Sequence, residues 1–236
     1  MPRAKVERFI VPLLADAIER ELAKLPAPRT GARAVDVGCG RQPFRARLQA
    51  AGYTYTGLDT QPNPDGTTDL ICAIDRPLPP EARAAGPFDL ILCTEVLEHV
   101  ADWATAFDNL RTLLAPGGHV LITCPHVYIL HEEPYDFWRP TPHAIAHYAQ
   151  RAGLQVLRNQ RLGTAWDVLG TQLAAFKPKP RPGSLPGLSH ALAGLTRLSR
   201  GLLFRLIATG LPQRLITDGG SLYLSNLAVL RRPTSP

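Results

Sequence analysis

The stretch Ala34 to Phe44, reading AVDVGCGRQPF, constrains the fold of this chain more than any other. Ala34, Val35 and Val37 make a short apolar, partly β-branched run that predicts a buried strand. The run ends in Gly38-Cys39-Gly40, where two glycines permit a tight turn with positive φ and let a ligand touch backbone. Residues 44–51, FRARLQAA, then predict a helix whose first N–H groups and partial positive charge face whatever binds beyond the turn. Strand, glycine turn and helix in this order describe a nucleotide-type site.

Two ligand classes compete for such a turn. The dinucleotide fingerprint G-x-G-x-x-G requires glycine at 43, where this chain has Pro43. An acidic residue, Asp36, stands two positions before the first glycine and suits a ligand with a cationic amine better than one with a pyrophosphate. The next predicted strand, Tyr53 to Asp59, ends in a second carboxylate. Asp59 is thereby placed to accept hydrogen bonds from ribose hydroxyls.

The segments VDVGCG, GLD, FDLILCTEVLEHV and LRTLLAPGGHVLITCP follow one another in this order. From Ala34 to Gly153 the chain resembles the class I S-adenosylmethionine-dependent methyltransferases, closest in flavour to the type 11 branch that includes ubiquinone-biosynthesis enzymes. The resemblance implies an α/β fold, a Rossmann-like seven-stranded, mostly parallel sheet with a C-terminal antiparallel strand. It also implies S-adenosylmethionine as cofactor and methyl transfer as the activity. By the same resemblance the cofactor is held by Asp36, Gly38, Gly40 and Asp59, its adenine lies near Ile74 and Asp75, and its methionine part lies over Cys93 and Thr94. The family often has a third glycine where this chain has Gln42.

At 236 residues and 45% hydrophobic, the chain is long enough for one domain with a good core and an appendage. No apolar run approaches the 18 residues or so that a membrane-spanning helix needs. Arg3, Lys5, Glu7 and Arg8 adjoin only a short apolar run, so no signal-peptide core is expected. Cys39, Cys72, Cys93 and Cys124 lie in or beside predicted strands without metal-type spacing, which predicts buried thiols in a reducing compartment, by default the cytoplasm. The expected organisation is a lead-in with an amphipathic helix over 1–33, a core over 34–165, a basic helical insertion over 166–220, and a last strand and tail over 221–236.

In residues 5–25, Val6, Phe9, Ile10, Leu13, Leu14, Ala17, Ile18 and Leu22 recur at helical spacing, and Pro12 predicts that the regular helix starts there. Further strands are expected at 69–73, 88–93, 119–124, 154–161 and 221–231. The letters EVLEH after the fourth strand predict a helix start with Glu95 and His99 four apart on one face. In some relatives a similar E-x-x-E-H binds a divalent ion, so Glu95, Glu98 and His99 define an alternative, a metal-assisted O-methyltransferase. The plainer role of such a Glu is to complement a helix dipole, and the sequence assigns no metal.

The segment HVYILHEEPYDFWRPT occupies the place where class I enzymes build the acceptor pocket. His126, His131 and His99 are candidate general bases, with Tyr135 and Asp136 as further contacts. Glu95, Tyr135 and Trp138 are candidate pocket residues, while Tyr135, Phe137 and Trp138 are expected as a packed aromatic lid and Arg139 as a partner of a carboxylate. The acceptor is expected to be a small molecule, a glycan or a lipid-linked molecule. A non-catalytic cofactor-binding module is the remaining alternative, against which the intact Asp36, Gly38, Gly40 and Asp59 argue.

The net charge of +6 is unevenly placed: residues 177–236 hold nine Lys and Arg against one acidic residue, leaving 17 against 19 for the rest. A basic linker, KPKPRPG, precedes Leu188, Leu192, Leu195, Leu198, Leu202 and Leu206 at helical spacing. The expectation is a helical cap over the acceptor pocket with its leucines packed inward. The alternative is peripheral membrane contact through 184–216, which would suit a lipid-linked acceptor. A nucleic-acid partner is disfavoured because the core is not basic and carries no recognisable RNA module.

Overall fold

Every residue from Ala34 to Val37 is buried, as expected of a strand covered on both faces. In the computed structural model this strand sits inside a seven-stranded sheet. The structure describes residues 5–234; residues 1–4 and 235–236, the outermost parts of the expected lead-in and tail, lie outside the described residues. The first half of the chain runs α1 (Glu7–Leu22), β1 (Arg33–Val37), α2 (Arg45–Ala50), β2 (Thr54–Asp59), β3 (Leu70–Ile71), α3 (Pro80–Ala85) and β4 (Phe88–Thr94). A 3-10 turn (Leu97–His99) leads to α4 (Trp103–Leu113), β5 (Leu114–Pro125), α5 (Pro142–Arg151) and β6 (Gln155–Leu162). Then come α6 (Ala165–Ala175), α7 (Pro186–Ala208), α8 (Leu211–Leu215) and β7 (Ser225–Arg231).

The strand order is β3-β2-β1-β4-β5-β7-β6. Strands β1 to β5 pair in parallel, and β7 runs antiparallel: the Gly117 N–H donates to Arg232 O near one end, and Asn226 Nδ2 donates to Cys124 O near the other. The chain steps outward from β1 to β3, then returns to the other side of β1 for β4. Such a reversal opens a crevice at the carboxyl ends of β1 and β4, where open α/β sheets take their ligands.

The chain forms two compact units. Among the described residues, 17–126, 130–161 and 226–234 make the larger one, and 5–16, 127–129 and 162–225 the smaller. In the larger unit α4 covers the sheet with Phe107 and Leu110, and the rings of Trp103, Phe107 and Tyr148 meet at centroid distances of 5.5–5.9 Å. In the smaller unit Phe9 packs edge-on against Phe204 at 5.9 Å and close over Gly170, where a Cβ would fall 2.5 Å from the ring. A capping box of Thr164 and Asp167 starts α6.

Several sequence expectations need correction. Helix α1 begins at Glu7 and runs through Pro12, because both Pro12 and Arg8, whose carbonyl loses its partner, are exposed to solvent. No helix starts at Glu95, whose φ of +54° is incompatible with one; the start signal is Asp102, whose side chain accepts from the Thr105 N–H. Glu95 and His99 are therefore not one turn apart on a helix face. Strand β3 is shorter than expected, and β5 begins earlier, at Leu114, with an irregular register before His119. The leucines of α7 do not pack inward: Leu188, Leu192, Leu195, Leu202 and Leu206 are exposed, whereas Ala193 and Ile207 are buried.

Buried Asn226 on β7 ties the end of β5 to the following segment, since its Nδ2 donates to both Cys124 O and Pro140 O. Asn226→Ala strips both carbonyls of that donor, so urea unfolding should show a loss on the order of 2 kcal/mol. An unchanged midpoint would remove this tie from the account.

Candidate active site

The turn after β1 is held by backbone and shaped by what cannot fit. Gly38 (φ +68°) and Cys39 donate their N–H groups to Leu58 O, and a Cβ on Gly38 would lie 2.3 Å from Val96 Cγ2. Gly40 (φ +47°) has open space where a Cβ would stand, and its N–H donates to Asp59 Oδ2 at 2.9 Å. Gln42, at the place of the family's third glycine, also has positive φ, +57°. Its side chain holds that conformation: Nε2 donates to Thr67 O at 2.7 Å, and Oε1 accepts from Arg45 Nη1 and Thr67 Oγ1. Gly57 on β2 leaves the room, since a Cβ there would be 2.6 Å from Gln42 Nε2.

A cavity of about 350 Å³ opens beside this turn. Gly38, Gly40, Asp59, Ile74 and Asp75 line it, together with Glu95 and His99 from beyond β4. Of the other expected cofactor residues, Asp36 and Cys93 are buried behind the wall, and Thr94 is half-buried and off it. Thr60, Gln61 and Glu132 also line the cavity; neither periodicity nor motif singled them out. Trp138 borders a different, smaller cavity with Trp103 and Tyr148, and its Nε1 donates to Val100 O. Tyr135, Phe137 and Trp138 are 65%, 45% and 47% exposed, so the expected packed aromatic lid does not form, and Trp138 keeps only an edge contact with Trp103. Arg139 does pair with a carboxylate, forked onto both oxygens of Asp136. His126 is turned to Pro140 O through Nδ1 and is not on the cavity wall.

At the cavity's edge three side chains converge. Glu98, with no exposed surface, has its Oε1 3.8 Å from His99 Nε2 and 3.9 Å from His131 Nε2. The two imidazoles meet edge to face at 4.7 Å. Glu98 Oε1 has no hydrogen-bond partner, while Oε2 receives the Cys124 thiol at 3.7 Å. His99 Nδ1 lies 3.1 Å from Tyr135 O, a pure acceptor, so the proton belongs on Nδ1 and the lone pair on Nε2. His131 Nδ1 faces Asp136 Oδ2 at 3.3 Å, which sets the same tautomer. Burial, and next the charge of Glu95, pushes the Glu98 carboxyl well above the ordinary carboxylate range. Among the described residues Glu98, His99 and His131 form a group whose donor atoms all lie within 4.8 Å of one another.

Residues 6–159, well over half of the chain, match the family described as methyltransferase domain. The chain belongs to that methyltransferase family. It is 33% identical over 155 residues to a ubiquinone biosynthesis O-methyltransferase of Ralstonia nicotianae, covering 55% of this chain and 65% of that protein. It is 29% identical over 186 residues to the protein of the same name from Aromatoleum aromaticum, covering 68% of this chain and 76% of that one. Among solved structures, the S-adenosylmethionine dependent methyltransferase from Mesorhizobium loti superposes with a TM-score of 0.52 at 18% identity, over 91% of this chain and 96% of that one. That likeness concerns the fold. The match spans just under two thirds of the Ralstonia protein's length.

In this methyltransferase-family chain Asp36 stands behind the turn, accepting the Tyr55 hydroxyl at 3.0 Å. Burial raises its pKa to about 7, and the Asp59 charge adds to the rise against the effect of Tyr55. A raised carboxyl pKa stabilises the fold at low pH, and the benefit disappears as pH rises from about 4 through about 7. Asp36→Asn lacks that titration. Its stability relative to the parent should therefore climb across this window, by at most about 4 kcal/mol, in chemical unfolding at stepped pH without ligand. A difference that stays flat with pH would contradict the buried, protonatable carboxyl.

Proposed function

We propose that this chain transfers the methyl group of S-adenosylmethionine to a hydroxyl of a small-molecule, glycan or lipid-linked acceptor, assisted by a divalent cation held by Glu98, His99 and His131. The observation that carries the cation is the buried Glu98 Oε1, without a hydrogen-bond partner and facing two imidazole Nε2 atoms. Distances of 3.8 and 3.9 Å are too long for hydrogen bonds, which leaves the polar atom needing another partner. One carboxylate and two imidazoles suit Zn²⁺, Fe²⁺, Co²⁺ or Mn²⁺ better than Mg²⁺. The metal-assisted alternative expected for Glu95, Glu98 and His99 thus becomes the preferred one, with His131 in place of Glu95.

The cofactor fits the cavity on this chain's own terms. Gly40 opens into space that any side chain would fill, and the Asp59 carboxylate at the end of β2 offers acceptors to a ribose diol. Ile74 and Asp75 both line the cavity, and would offer the adenine an apolar contact and a polar edge. The bound cofactor supplies an electrophilic methyl carbon on sulfur. Glu98, His99 and His131 would hold a cation there, and it would supply positive charge that makes the acceptor hydroxyl easier to deprotonate. His99 and His131 keep their Nδ1 protons on Tyr135 O and Asp136, so they hold the cation and do not shuttle protons. Glu132, on the cavity wall and 3.8 Å from His99 Nε2 through its Oε2, is the base placed to take the acceptor's proton. The walls orient the acceptor oxygen in line with the breaking bond and displace water, which is most of what this reaction asks of a protein.

Asp59→Ala is expected to weaken S-adenosylmethionine binding at least about tenfold while the chain still unfolds cooperatively. Equal affinity would remove the ribose assignment. Turnover of a panel of phenolic and sugar hydroxyls should fall about 100-fold after chelation and in Glu98→Gln, with cofactor affinity within about threefold. Full turnover in both would overturn the cation's role and leave the methyl transfer standing.

A further inference from the structure

Helix α7 of the smaller unit has two unlike faces. On one, Ala193 and Ile207 are buried, Phe204 meets Phe9, and Arg200 Nη1 donates to Leu173 O and Phe176 O. Arg197 on the same side donates to Pro178 O. Positions 193, 197, 200, 204 and 207 recur at three- and four-residue spacing, so one stripe of the helix makes these contacts. The opposite stripe carries Leu188, Leu192, Leu195, Leu202 and Leu206, between 47% and 64% exposed. Leu211, Leu215 and Ile216 extend the exposed apolar surface through α8 and past its end, at 48%, 73% and 56%. A water-facing surface of this kind marks an interaction site.

Charge narrows the choice of partner. Lys177, Lys179, Arg181, Arg197, Arg200, Arg205 and Arg214 fall in a segment that contains no Asp or Glu from Lys177 to Thr217. A second copy of the chain would bring the same positive sign against itself, which like-charge repulsion opposes. A surface that is apolar in depth and anionic at its boundary complements both features at once. No helix among the described residues is long and apolar enough to cross a membrane, and a basic amphipathic helix binds such a surface by lying in its plane.

We infer that the leucine face of α7, continued by Leu211, Leu215 and Ile216, docks on an anionic lipid bilayer, with its leucines in the acyl boundary and the basic side chains outside the packed stripe, Arg205 and Arg214, at the headgroups. Each basic side chain near such a surface adds to binding, and salt screens that part alone. The inference is independent of the methyl-transfer reading.

The test is co-sedimentation of the full chain with vesicles of phosphatidylcholine and phosphatidylglycerol, about 3:1, and with phosphatidylcholine alone, at low and high salt. The parent should partition onto the anionic vesicles at least about tenfold better than onto the neutral ones, with salt weakening the difference. Leu195→Glu/Leu202→Glu, exposed positions that threaten no packing, should lose about tenfold or more on anionic vesicles while cofactor affinity and unfolding midpoint stay unchanged. Arg205→Glu/Arg214→Glu should lose binding to the anionic vesicles while leaving the leucine face intact. Equal partitioning of parent and leucine variant, or no partitioning of the parent, overturns the inference. So does a parent dimer in light scattering that the leucine substitutions dissociate, which would assign the face to a second copy.

Discussion

The main-chain oxygen of Glu98 accepts hydrogen bonds from the N–H groups of Phe137 and Trp138, and its side chain lies wholly out of solvent. Through the first contact it anchors the segment that follows β5; through the second it sets a polar atom in a place where water cannot satisfy it. Asp136 and Arg139 then clamp His131 from the far side, and Tyr135 O orients His99. These contacts fasten the loop from 131 to 140 to the end of β4 despite its exposed Tyr135 and Phe137.

The same region concentrates backbone conformations that ordinary residues avoid. Among the described residues, Gln42, Glu95 and Glu132 are non-glycine residues with positive φ, and two of the three line the cavity. Such conformations persist where surrounding structure over-determines them, and they gather at functional sites. For Gln42 the determining contacts are explicit: Thr67, Arg45 and the space left by Gly57. The crevice they border follows from topology, since the chain reverses direction across the sheet between β3 and β4.

Much of this was legible beforehand. The glycine turn is a local signal, because Gly38 and Gly40 take positive φ that few other residues tolerate, whereas the arrangement of the sheet came from the resemblance to a known family. Asp36 was expected to face the cofactor's amine; it is buried, does not line the cavity, and accepts the Tyr55 hydroxyl. The helix expected at EVLEH failed because helical spacing says nothing of a positive φ at Glu95, and the true start signal, Asp102, lay seven residues on. His131 could not be singled out over His126 from spacing alone, since which of the two turns toward Glu98 is decided by Asp136 and Pro140, both tertiary contacts. The α7 leucines have the right period for burial, and the sequence cannot state which stripe a neighbouring element covers.

The most direct test is anomalous diffraction at the manganese edge from crystals grown with S-adenosylhomocysteine and Mn²⁺. A single strong peak is expected among Glu98, His99 and His131, with cofactor density running along Gly38–Gly40 to Asp59. Cofactor density away from that turn, or a cluster without a peak at saturating Mn²⁺, would contradict it.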